Sequence, residues 1–123
     1  MEFGKILSTD MIGGAVLSRT QGINFKNTGT TDLYTVPTGK TAVIVDIIIQ
    51  ATNASVVTVA ATGSIGTNAT SYNNIMNGVA LGVLNAVGKI YKALMGGTSY
   101  AVATAGQVIK GNITIGAVAT TLD

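Results

Sequence analysis

The stretch Thr41-Ala-Val-Ile-Val-Asp-Ile-Ile-Ile-Gln50 constrains the fold more than any other part of this chain. Its β-branched residues lose side-chain freedom in a helix and pack well on a pleated sheet, so it predicts a strand. Just before it, Pro37 pre-sets the φ of a turn and Gly39 supplies the positive φ that follows. Alternation places Val43, Val45, Ile47 and Ile49 on one face, and Ala42, Ile44, Asp46 and Ile48 on the other. Both faces are largely apolar, the pattern of a strand covered on two sides. One cover is the protein's own core. The other is expected to be a subunit interface, with Ile44 and Ile48 as its candidate residues; ordinary core is the competing reading of the same two side chains.

Turn signals divide the rest of the chain into short pieces. Ile23 to Phe25, Leu33 to Val36, Val56 to Ala61, Ser99 to Ala103 and Gln107 to Ile115 read as strands, and Gly63 to Asn74 as a Gly/Thr/Asn/Ser loop. Within the last strand, Ile109, Ile113 and Ile115 are expected to face inward and Lys110, Asn112 and Thr114 outward. Residues 75–94 carry apolar side chains at helical spacing, but Gly78, Gly82 and Gly88 would each cost a helix about 1 kcal/mol relative to alanine. An irregular crossing followed by a strand over Lys89 to Met95 is therefore expected. Together these features predict an all-β, single-domain antiparallel β-sandwich or jelly roll over residues 22–123. An N-terminal arm or irregular entry strand over residues 1–21 precedes it.

Composition bears on what such a module does. Charged residues are 10% of the chain, against about 25% in an ordinary soluble domain. Hydrophobic residues reach 47%, yet aromatics are only 5% and tryptophan is absent. With so few charges to cover it, part of the surface is expected to be buried by a partner, most simply a second copy of the chain. Lys5, Arg19, Lys26, Lys40, Lys89, Lys92 and Lys110 are scattered, so no nucleic-acid partner is expected. No membrane partner is expected either, because Asn77, Asn85, Lys89 and Lys92 interrupt the most apolar window.

The residues that carry most enzyme chemistry are missing. The chain has no cysteine and no histidine, which removes thiolate and imidazole nucleophiles, bases and metal ligands. Of its five acids, Asp32 and Asp46 are the pair within the predicted sandwich. Asp32 sits beside a turn, and Asp46 is placed to meet a lysine. Gly39-Lys40-Thr41 imitates the end of a phosphate-binding loop, but Tyr34 stands where that motif needs glycine. No catalytic residue, metal site or cofactor is expected, and the chain is not expected to be an enzyme.

The run Asp32-Leu-Tyr-Thr-Val-Pro-Thr-Gly-Lys-Thr-Ala-Val-Ile-Val45 resembles a segment of small virion structural proteins of tailed bacteriophages. Ser71-Tyr-Asn-Asn-Ile75 and Ala105-Gly-Gln-Val-Ile-Lys-Gly-Asn-Ile-Thr114 are similar to the same group. The resemblance covers roughly residues 22–123 and implies a jelly-roll or sandwich module used as a head decoration, head fibre or tail appendage. It implies a capsid decoration or cement protein that forms a homo-oligomer such as a trimer. Its partner would be the major capsid protein or another virion protein, and its place the virion after synthesis in the host cytoplasm. Similar proteins tend to continue with one more strand beyond Thr120-Thr-Leu-Asp123, so a trimmed chain or an open edge completed by another subunit is expected. The alternative is a tail-fibre or appendage module that recognises the host surface, with Tyr72 in the long loop as its candidate ligand contact.

Overall fold

The computed structural model describes residues 18–93 and 101–123, and no helix occurs among them. Among the described residues ten strands follow one another: β1 Gly29–Thr35, β2 Ala42–Ile44, β3 Ile47–Gln50, β4 Ala54–Ser55, β5 Thr62–Gly66, β6 Met76–Ala80, β7 Ile90–Ala93, β8 Ala101–Ala103, β9 Val108–Ile115 and β10 Thr121–Leu122. Strands β1, β9, β5 and β6 form one antiparallel sheet in that order. Shorter antiparallel pairs, β2 with β8, β3 with β7 and β4 with β10, complete the fold.

Apolar side chains from these layers meet in the middle. Ala42 and Ile44 of β2, Ala93 of β7 and Ala103 of β8 pack with Ile65, Met76 and Ile109 of the four-stranded sheet and with Val36. A second cluster holds Phe25, Ala51, Ala61, Leu81, Leu84, Ala117 and Leu122. Ile49, Val79 and Tyr91 touch both clusters. The antiparallel β-sandwich expected from the turn spacing is thus the observed fold. Of the expected arm, residues 1–17 lie outside the described residues; Ser18 is exposed and its hydroxyl donates to the Leu33 carbonyl of β1.

Several strands differ from the reading of the sequence. Thr62–Gly66, at the start of the stretch read as a loop, is an inner strand of the four-stranded sheet between β9 and β6. Its Thr-Gly-Ser-Ile-Gly composition hides it, but small residues are what this position requires. A Cβ on Gly66 would stand 2.6 Å from the Asn73 nitrogen and the Tyr72 carbonyl carbon of the loop that folds back over the strand. The strand read over Val56 to Ala61 is absent; β4 ends at Ser55, and only a bridge from Val59 to Val118 follows. Phe25 is in a turn rather than a strand, although its N–H donates to Leu122 and its carbonyl accepts from Ala117.

The stretch over residues 75–94 becomes β6, a turn region and β7, with Gly78 and Gly88 at φ +53° and +86°. Strand β7 lies inside the strand expected over Lys89 to Met95, of which residues 94 and 95 lie outside the described residues. The C-terminal residues form β10, paired on one side with β4. Thr121 and Leu122 pair with Ser55 and Ala54, and the Asp123 N–H donates to the Asn53 carbonyl. Leu122 is fully buried.

Candidate functional site

The Thr41–Gln50 segment is not one strand. Val45 and Asp46 interrupt it, and both are exposed. The Ile47 N–H donates to the Asp46 carboxylate at 2.9 Å, and Lys92 Nζ lies 3.5 Å from the same carboxylate. This break inserts an extra residue into the alternation and exchanges the faces. Ala42 and Ile44 point inward before it; Ile47 and Ile49 pack inward after it. Ile44 and Ile48, expected on one face, therefore part company. Ile44 is 8% exposed in the core, and Ile48 is 62% exposed on the outer surface. The expectation that both faces are covered also fails within a single chain, because Val43, Val45 and Ile48 are open to solvent.

Cross-strand pairing extends these residues into a strip. Val43 stands opposite Val102, Ile48 opposite Lys92, and Gln50 opposite Ile90. Val43, Val45, Ile48, Ile90 and Val102 are all at least half exposed. A fully buried Val or Ile is worth about 1.5–3 kcal/mol at about 25 cal/mol per Å², hence ~60–120 Å² each, so the strip offers ~150–300 Å² of apolar area. The Asp46–Lys92 pair and Gln50 interrupt it.

A second, smaller apolar patch lies elsewhere. Val59 and Val118 are joined by their bridge and both are exposed, while their neighbours Ala117 and Ala119 pack into the second cluster. Val56, close by in sequence, is 68% exposed and has φ +50°. A β-branched residue in this left-handed region is an outlier that costs roughly 1–2 kcal/mol. Ile115, expected inside, is also exposed: β9 shifts register between Ile113 and Ile115, so Thr114 absorbs an extra position and the alternation reverses.

The outer face of the four-stranded sheet is polar. Register places Thr30 and Ser64 beside Asn112, and Asp32 beside Lys110. Lys110 Nζ donates to Asp32 Oδ1 at 2.6 Å, and this hydrogen bond, with the nearby negative charge, raises the Lys110 pKa above the ordinary lysine value. The Thr67–Asn74 loop folds over this face. Asn68 Oδ1 accepts from the N–H groups of Asn73 and Asn74, and the Ser71 carbonyl accepts from Ser64 Oγ and Asn112 Nδ2. Tyr72 is half-buried at φ +46°, and Lys110 Nζ lies 5.7 Å from its ring centroid. The proposed ligand contact is therefore already engaged by the chain's own lysine on one side of its ring.

Both sandwich acids have lysine partners, Asp32 with Lys110 and Asp46 with Lys92. Among the described residues no three acids gather where they could hold a metal ion. The arrangement concentrates exposed apolar area rather than reactive groups. Ile90 and Val102 were not singled out by sequence reasoning; each is a lone β-branched residue whose outward direction depends on its strand partner. No protein-family model, curated protein or solved structure matches the chain.

Proposed function

We propose that this protein is a structural assembly module of a virion, a head-decoration or cement type of protein that self-associates and works by packing rather than catalysis. The observation that carries this reading is the strip of Val43, Val45, Ile48, Ile90 and Val102, apolar and open on a fully formed sandwich. Burying it against a second copy or a capsid subunit would remove apolar surface from water, the main driving force for association. The resemblance of residues 32–45, 71–75 and 105–114 to virion proteins supplies the biological setting. The appendage-module alternative has less support, because Tyr72 is partnered by Lys110.

Sedimentation velocity on the purified protein over a concentration series tests the proposal. The wild type is expected to sediment as an oligomer, and Ile48→Asp to remain folded at lower mass. A wild type that stays monomeric at the highest concentration would overturn self-association. Failure to bind expanded phage heads in a co-sedimentation assay would overturn the capsid setting.

A further inference from the structure

We propose that Asn77-Gly78 is a self-modification site, where the backbone attacks the Asn77 side chain and converts it to aspartate or isoaspartate. The site is independent of the assembly proposed above. Its chemistry needs a side-chain amide one residue before a backbone nitrogen that is free to approach it. Glycine serves best in the second place, because it has no Cβ to block the approach and its backbone reaches conformations closed to other residues. Asn77-Gly78 is the only Asn-Gly pair in the sequence.

The fold leaves this pair open. Among the described residues β6 is an edge of the four-stranded sheet, paired with β5 alone. Met76 stands opposite Ile65 and Val79 opposite Gly63, so Asn77 and Gly78 together face Ser64, a bulge that puts both out of the ladder. Both are exposed. Gly78 takes φ +53°, and no described atom beyond its chain neighbours lies within 4 Å of where its Cβ would stand. Asn77 Oδ1 accepts from Asn73 Nδ2 at 3.4 Å, a hydrogen bond long enough to break at little cost. Other asparagines lack these features. Asn68 and Asn74 precede alanine and isoleucine, and their side-chain oxygens hold the N–H groups of Asn73 and Thr67. Asn112 precedes Ile113 on the inner strand β9.

In the first step the Gly78 nitrogen bonds to Asn77 Cγ, the Cγ–Nδ2 bond breaks, and the proton of the attacking nitrogen leaves with Nδ2 as ammonia. A solvent water then opens the cyclic imide. Breaking the new bond gives aspartate; breaking the original peptide link gives isoaspartate. Nothing is oxidised or reduced. Either product lowers the formal net charge of +2 by one. Isoaspartate also adds a methylene to the main chain beside Met76, a buried core residue, and so loosens the β5–β6 edge.

Peptide mapping by mass spectrometry tests the assignment on the folded protein held at mildly alkaline pH, beside a urea-unfolded sample. In the folded protein the fragment holding Asn77 is expected to gain the mass of a deamidation before any other asparagine fragment does, at a rate within a few-fold of the unfolded sample. The same fragment is expected to become a substrate for protein isoaspartyl methyltransferase. Asn77→Gln, which leaves the backbone unchanged and lengthens the side chain by a single methylene, should abolish both signals. A folded protein that keeps Asn77 intact, whatever the unfolded chain does, would show that the sheet protects the site and would overturn the proposal. Conversion led by another asparagine, or methyl transfer that persists in Asn77→Gln, would overturn it equally.

Discussion

Replacing Ile44 and Ile48 by alanine, one at a time, examines the exchange of faces at Val45–Asp46. Uninterrupted alternation makes the two positions equivalent; the structure makes them opposite. Ile44 is buried in the cluster that also holds Val36, Ala42, Ile65, Met76, Ala93, Ala103 and Ile109. Large-to-small changes in such a core cost about 2–5 kcal/mol, the range expected here. Against a total stability on the order of 5–15 kcal/mol, the variant would be close to its limit. Ile48 is 62% exposed and faces Lys92 across the strand pair, so Ile48→Ala should cost the single chain about 0.5 kcal/mol or less. Urea unfolding followed by far-UV circular dichroism, at a protein concentration low enough to dissociate oligomers, reads both. With a slope of about 1–3 kcal/mol per molar, the Ile44→Ala midpoint should fall by roughly 1 M or more while that of Ile48→Ala barely moves. At high protein concentration the stability of the wild type should rise by mass action, and that of Ile48→Ala should rise less. Equal midpoint losses at low concentration would refute the assignment of opposite faces.

Three further outcomes are expected. Gly66→Ala should lose about 2–3 kcal/mol, because its methyl group meets loop backbone that must shift, whereas Gly63→Ala meets only Leu81, Asn112 and Ile113 atoms at 3.6–3.7 Å and should be much milder; thermal unfolding of the two variants side by side checks this. Val56→Gly should raise the unfolding midpoint, since glycine accepts φ +50° without strain, and a lower midpoint would count against the strain. Lys110 has its pKa raised in the folded state by Asp32, so its contribution is present below the ordinary value of 10.5 and is lost as pH rises through the folded value. Asp32→Asn should return the Lys110 titration, followed by NMR, toward 10.5 and remove that alkaline loss of stability.

The amino-acid sequence alone determines the local grammar of this protein. The turn before β2 is legible because proline and glycine restrict backbone angles directly: the Lys40 N–H donates to the Pro37 carbonyl at 3.1 Å, and Gly39 sits at φ +76°. The all-β class follows from β-branched runs between such turns, and the surplus of exposed apolar surface follows from the shortage of charge. Tertiary structure decided which apolar residues form that surface. A period of two carries no mark of where an extra residue enters, so the interruptions at Val45–Asp46 and Thr114 reverse the direction of everything beyond them. Strand β5 was hidden for a related reason. Its place between β9 and β6 depends on the loop above Gly66 and on partners near residues 79 and 112, and a run of glycine, serine and threonine carries no hydrophobic signal of its own. The Asp32–Lys110 and Val59–Val118 contacts likewise join residues far apart in the chain. Local angles are written residue by residue; facing and pairing emerge only when distant strands compete for the same core.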